Sequence, residues 1–256
     1  MNIPAIVSDP APPPGFEKLP APGVQYRMNV ATASSAPWVN ANGWRLMRGN
    51  APGFFYDVPG AAAALAAAEA FSYGAEAAIH TDDPGARRFS DIATILKQVK
   101  PRTLPAMANV GVIDDGSPAA GEIMNLLTRR NLLFKIVTAS DPKLDVNVRP
   151  DADAARNPSV FAQKVRQQLT DSKRLLRIYG SEVVIGRLTG EGNTARLHLL
   201  NYDVRRSVYG LRVRVLGAYA NIDAQPLKIQ DYRRFPDATE FTLPELGVYS
   251  VIDLSK

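Results

Sequence analysis

The segment Asp114-Asp115-Gly116-Ser117 puts two carboxylates and a hydroxyl where the apolar run 109–113 gives way to a helical pattern. Ligands of open α/β sheets bind outside the carboxyl ends of the strands, and the free N–H groups that open the next helix attract anions. Two carboxylates beside those groups would instead favour a cation or sugar hydroxyls. A purely structural role explains the same residues: Ser117 caps the helix, Pro118 sits in its first turn, and the aspartates shape the turn. His80, followed by Asp82 and Asp83, ends another strand-like run. With Asp114 or Asp115 it would form an acid–base pair if the two strands are neighbours; otherwise it is a hydrogen-bonded turn residue. No Gly-x-Ser-x-Gly elbow surrounds Ser117, so it lacks the setting of an activated nucleophile.

Trp38, Trp44, Phe54, Phe55 and Tyr56 gather ahead of the first strong helix. Aromatic faces stack on sugar rings, which makes Trp38, Trp44 and Tyr56, with Ser117, candidates for ligand contact. The simpler expectation is that they are buried over the core. His198 lies in an alternating segment with Arg196 and Tyr202 and is expected on a solvated face. The basic pairs Arg87-Arg88, Arg129-Arg130, Arg205-Arg206 and Arg233-Arg234 are scattered, without a phosphate loop, helix-turn-helix or RNA-binding aromatic signature. They read as solvated surface, and no nucleic-acid partner is expected.

Composition narrows the chemistry further. The chain has 256 residues, 30 Lys+Arg against 25 Asp+Glu, and a formal net charge of +5, too modest and dispersed to argue for a polyanion partner. It has no Cys, which excludes disulfides, zinc–thiolate centres, Cys-ligated clusters and a thiol nucleophile. Two distant histidines, 80 and 198, do not make a His-rich metal site, and no cofactor is implied. Hydrophobic residues make up 46% of the chain, enough for a real core. No apolar run reaches the roughly 18 residues of a membrane span. The start, Met-Asn-Ile-Pro-Ala-Ile-Val, is too short and uncharged for a signal peptide. The chain is therefore either cytoplasmic or, if a signal has been removed, extracytoplasmic.

The elements that must position these residues follow from periodicity. Residues 1–40 read as a Pro-rich tail, extended around Asp9-Pro-Ala-Pro-Pro-Pro-Gly15. Residues 41–150 alternate strands (53–58, 75–80, 109–113, 132–137) with helices (61–73, 89–99, 119–130), the first helix Ala-rich and stopped by Gly74. That order predicts one largely parallel sheet. Residues 141–157 read as an irregular connection. After a helix at about 158–169 the period drops to two, with strands near 175–179, 183–188, 195–200, 211–216, 239–243 and 249–254. The fold class is α/β plus all-β: a small, mostly parallel α/β unit followed by a C-terminal antiparallel β-sandwich within 151–256.

Glu69-Ala-Phe-Ser-Tyr-Gly-Ala-Glu-Ala77 resembles the last helix and strand of a glycosidase (β/α)8 barrel. Asn109-Val-Gly-Val-Ile-Asp-Asp115 with the helix–strand 126–137 resembles the amidotransferase-like domain that follows the barrel in family 42 β-galactosidase-like proteins. Ala195-Arg-Leu-His-Leu-Leu-Asn-Tyr202 with Gly210-Leu-Arg-Val-Arg-Val215 is similar to the small β-sandwich that ends many glycoside hydrolases. A full barrel takes about 250 residues, so the resemblance implies a chain without the barrel and its paired catalytic carboxylates. It implies a non-catalytic, carbohydrate-related accessory or assembly module, with an oligosaccharide as ligand and a protein partner or second copy packed against it. An amidotransferase triad is not available, because its nucleophile is a Cys. The alternative from the residues themselves is a small hydrolase at Asp114, Asp115 and His80.

Overall fold

A computed structural model of the chain describes residues 3–26, 37–49, 51–151, 154 and 156–256. The α/β part is built from two parallel sheets. The first has β1 (Ala5–Ile6), β2 (Phe16–Leu19), β5 (Gly53–Asp57) and β6 (Ala77–His80) in the order β1-β6-β5-β2. The second has β7 (Val110–Ile113), β8 (Phe134–Val137) and β9 (Val146–Val148) in the order β8-β7-β9. The single sheet expected from the alternation is thus divided in two. The strand at 146–148 was hidden because it is only three residues long inside a polar stretch.

The Pro-rich segment supplies strands too. Residues 5–6 and 16–19 flank the first sheet, and β3 (Gly23–Gln25) pairs antiparallel with β4 (Trp38–Asn40). Next comes α1 (Gly43–Arg48), a short helix that the sequence pattern did not single out. Helix α2 (Ala62–Tyr73) ends at Gly74, whose φ of 66° closes the helix in the left-handed region that glycine occupies without strain. Helix α3 (Asp83–Gln98) starts six residues before the sequence-based start at Phe89. The residues read as a turn are its opening: Asp82 accepts the Gly85 N–H at 2.8 Å, and Pro84 sits in the first turn. Helices α4 (Pro118–Arg129) and α5 (Pro158–Lys173) cover the second sheet, with Leu127, Met124, Val165 and Leu169 in its core.

The C-terminal part is a sandwich of two antiparallel sheets. One has β10 (Leu176–Tyr179), β13 (Val208–Leu216), β16 (Ala238–Leu246) and β15 (Gln230–Arg234) in the order β10-β13-β16-β15. The other has β11 (Val184–Glu191), β12 (Thr194–Asn201), β17 (Tyr249–Ser255) and β14 (Asn221–Gln225) in the order β11-β12-β17-β14. Leu197, Leu199, Val213, Phe241, Leu243 and Ile252 fill the space between them. The fold is therefore α/β plus all-β.

The two parts share a core rather than a linker. Helix α2 is buried on nearly every side, and its alanines let it lie between the first sheet and the outer face of β12. That contact overturns the expected solvated face of β12: Arg196 and His198 are 1% and 2% exposed. Arg196 forms a fork with Asp253 at 2.7 and 2.8 Å and donates to the Lys100 carbonyl. His198 Nδ1 lies 2.8 Å from the Tyr249 hydroxyl, with Phe71 edge-on to its ring.

Glu69 of α2 lies at the centre of this junction with no exposed surface. Its Oε1 accepts the Asn42 backbone N–H at 2.7 Å and the Tyr202 hydroxyl at 2.6 Å. Its Oε2 accepts the Asn42 amide and the Tyr56 hydroxyl, each at 3.1 Å. Burial raises its pKa, and the four donors pull the other way. One carboxylate thereby joins the start of α1, strand β5, helix α2 and the sandwich.

Two predictions test this junction. Glu69→Gln replaces an acceptor oxygen by an NH2 group that faces donors. It should destabilise the fold by about 1–3 kcal/mol for each donor left unsatisfied, measured by denaturant unfolding; wild-type stability would show that the carboxylate is not needed. Burial, then repulsion from Arg187 and Arg196, pushes the His198 pKa down to about 3. The unfolded chain takes up that proton near pH 6.5, so stability is fully present above about 6.5 and declines as the pH falls towards 3. The slope approaches about 1.4 kcal/mol per pH unit. The double variant His198→Phe/Tyr249→Phe removes both partners of the bond and should flatten the fall in melting temperature between pH 6.5 and 4. An unchanged slope would refute this assignment.

Candidate functional site

Asp114 and Asp115 end β7, while His80 ends β6 in the other sheet, so the strands are not neighbours. The acid–base pair expected between them is not formed. Asp114 is held by Arg48 of α1 in a two-pronged pair, Nε to Oδ2 at 2.8 Å and Nη2 to Oδ1 at 2.9 Å. Both partners are largely covered, at 18% and 9% side-chain exposure. Asp115 accepts the Ser117 N–H at 2.9 Å; hydrogen bonding by the Ser117 side chain, then by its backbone, holds the Asp115 carboxyl below the usual range, and Ser117 caps α4 by accepting the Ala120 N–H at 3.1 Å. All three residues shape the loop between β7 and α4.

The acid that His80 meets is Asp57, at the end of the neighbouring strand β5. His80 Nδ1 lies 2.8 Å from Asp57 Oδ1, and Lys18 of β2 donates to Asp57 Oδ2 at 3.2 Å. Hydrogen bonds from His80 and then Lys18 lower the Asp57 pKa. Sequence spacing could not show this pair, because register across β5 and β6 creates it. Asp82 is engaged by the backbone N–H groups of Gly60 and Gly85. Among the described residues, no group of three or more His, Asp or Glu side chains is placed to hold a metal ion.

The aromatic candidates separate. Tyr56 is fully buried and bonded to Glu69, so it belongs to the junction described above. Trp38 and Trp44 line one cleft of about 300 Å³ with Asn40, Arg45, Glu122 and Asn125. Arg129 lies over the Trp38 ring at 4.2 Å, and Arg45 and Arg48 over the Trp44 ring at 4.1 and 4.9 Å. The Trp44 benzo edge rests on α4 where residue 121 is Gly; a Cβ there would come within 2.6 Å of the ring. Guanidinium groups therefore cover aromatic faces that were candidates for sugar stacking. Two residues of the cleft also carry unmet polar groups: the Trp44 Nε1 donor and the Asn125 Oδ1 acceptor are both buried without a hydrogen-bond partner. An unpaired buried polar group is costly, about 1–3 kcal/mol. Asn125 was missed in the sequence because, within an amphipathic helix, it reads as an ordinary polar position.

The fold and these sites define a two-part α/β and β-sandwich chain with glycoside hydrolase chains among its structural neighbours. Alpha-L-fucosidase isoenzyme 2 from Paenibacillus thiaminolyticus is similar with a TM-score of 0.58 at 9% identity, over 79% of this chain and 60% of that one. The likeness shows the fold alone. Apo exo-carrageenase GH42 from Bacteroides ovatus and the noncanonic maltogenic alpha-amylase AmyB from Thermotoga neapolitana give 0.32 and 0.19, at 9% and 10% identity. They cover 79% and 80% of this chain, and 42% and 55% of their own. In sequence, the chain is 28% identical over 185 residues to one of the subunits of the Glutamyl-tRNA(Gln) amidotransferase of Streptomyces avermitilis, covering 62% of this chain and 34% of that protein. It thus spans about a third of that curated relative and about 60% of the fucosidase. No protein-family model matches the chain, and no helix among the described residues is long and apolar enough to cross a membrane.

Asp114→Asn separates a structural role from a catalytic one. Breaking the Arg48 fork should cost about 2–4 kcal/mol, between the exposed and fully buried cases, and lower the urea midpoint. Unchanged stability would remove the structural assignment.

Proposed function

We propose that this chain is a non-catalytic, carbohydrate-related module comparable to the non-barrel part of a glycoside hydrolase, and that it binds a sugar in the cleft beside Trp44. On this reading residues 41–150 and 151–256 correspond to the amidotransferase-like and sandwich domains that follow a family 42 barrel. The observation that carries the proposal is a buried, unpaired donor and acceptor, Trp44 Nε1 and Asn125 Oδ1, on two residues that line one cleft. A sugar hydroxyl both donates and accepts, so it suits such a pair. Asn40 and Glu122 at the same cleft add further polar groups. The engagement of Asp114, Asp115 and Glu69 in structural bonds favours binding over turnover. Packing against a protein partner or a second copy is part of the same reading, and the exposed Tyr209 on β13 is a place for it.

A second reading has one observation of its own: the Asp57–His80 pair at the carboxyl ends of parallel strands is where α/β enzymes place acid–base groups. It predicts turnover that Asp57→Asn abolishes.

The test is calorimetric titration with a panel of neutral oligosaccharides. Trp44→Phe keeps the ring and removes only the N–H, and Asn125→Leu removes the acceptor. Each should weaken binding by roughly ten-fold or more while the protein stays folded. Binding that is indifferent to both changes, or no binding across the panel, would refute the proposal.

A further inference from the structure

A larger cleft, about 540 Å³, opens between the second parallel sheet and the sandwich. The C-terminal end of α4 contributes Arg129, the residue after it is Arg130, α5 contributes Arg166, the residue after α5 is Arg174, and β10 contributes Arg177. Against these five cations the described structure sets Asp171, which bonds Arg166 at 3.2 Å and Arg174 at 3.4 Å, and Glu182 at the rim. Arg130 reaches a neutral partner, the Gln163 side-chain oxygen at 3.3 Å, and Arg177 has no carboxylate partner among the described residues.

Two of these side chains show that protein groups alone do not satisfy the cluster. Arg174 is nine-tenths buried, and it donates through Nη2 to the Arg130 carbonyl at 3.0 Å, yet its Nε–H has no partner. The Nε–H of Arg177 is likewise buried and unpartnered. Burial and then the Arg166 charge lower the Arg130 pKa; burial lowers that of Arg174, with the Asp171 hydrogen bond opposing and the Arg166 charge adding to the fall. Packing five like charges around a water-sized or larger space is unfavourable unless something negative shares it.

We propose that this cleft is an oxyanion site, taking a phosphate, sulfate or carboxylate group carried on a small molecule. Arginine suits that chemistry because its planar fork donates two parallel hydrogen bonds to two oxygens of one group. The volume lies in the range of small-molecule sites and exceeds what a bare ion needs. The anion would therefore be a substituent, with Tyr179, Ile178 and Leu126 on the walls left to contact the rest of the ligand. This site is separate from the Trp44 cleft and does not depend on the sugar-binding proposal made for it.

The test uses the full chain and inorganic phosphate as the probe, titrated by calorimetry and followed by thermal unfolding, against sodium chloride at matched ionic strength. Phosphate should bind saturably and raise the melting temperature, and chloride should not. Arg177→Gln and Arg130→Gln, chosen because neither side chain joins a carboxylate among the described residues, should each weaken phosphate binding by roughly ten-fold or more, while Trp44→Phe leaves it unchanged. A sugar phosphate, a hexuronate and the neutral parent sugar then separate the sources. Tighter binding of either charged sugar than of free phosphate establishes a ligand-borne anion, and phosphate alone binding best overturns that part of the proposal. Equal shifts with chloride, or full phosphate affinity in both arginine variants, overturn the site itself.

Discussion

Burying a carboxylate in an apolar core is unfavourable unless its oxygens are matched by donors, and the architecture here turns on meeting that demand at Glu69. The four donors come from the chain before α1, from β5 and from the residue that follows β12, the last of them 133 residues from Glu69. None of them can move without leaving the charge uncompensated. The relative placement of the first parallel sheet and the sandwich is therefore set by hydrogen-bond geometry as well as by apolar contact. Around that point α2 contributes little bulk, so the sheets on either side approach closely and Phe71, Tyr249 and Ile79 join one core.

The second sheet is fastened differently. Asn131, at the end of α4, donates to the Val184 carbonyl and accepts the Gly186 N–H, and Asn109 accepts the Leu175 N–H. These amide links act as backbone surrogates, allowing loops to meet β11 and β10 without a continuous strand ladder. They also leave space between the links, and both the small apolar cavity near Met107 and the arginine-lined cleft lie in that seam. The functional candidates thus arise where parts meet, not within any one element.

That arrangement explains what the sequence could reveal. The Ala-rich helix, its glycine stop, the cap at Ser117 and the alternating strands of the sandwich are local signals, and they correspond to elements at nearly those residues. What escaped detection was long-range. The division into two sheets, the partnership of Asp57 with His80, and the burial of Arg196 and His198 depend on which surface α2 covers. Alternation along β12 was real, but its polar residues face a helix and not water. Strands β14 and β15 were missed because polar residues dominate them. The Trp44–Asn125 cleft combines an indole from one helix with an amide from another, and no spacing in the sequence encodes that meeting.

The order of the first sheet has a further consequence. Its two inner strands, β5 and β6, are consecutive in the chain, but their outer neighbours come from residues 5–6 and 16–19, both synthesised earlier. These segments thus wait for a later βαβ unit before they can pair, and each then shields a row of backbone N–H and C=O groups. A nick or deletion ahead of residue 20 would unmask both edges at once, on strands as apolar as Phe54-Phe55-Tyr56. Open edges of that kind recruit strands from other molecules. Residues 5–6 and 16–19 thus cover the two edges of the β5–β6 pair as well as completing the sheet.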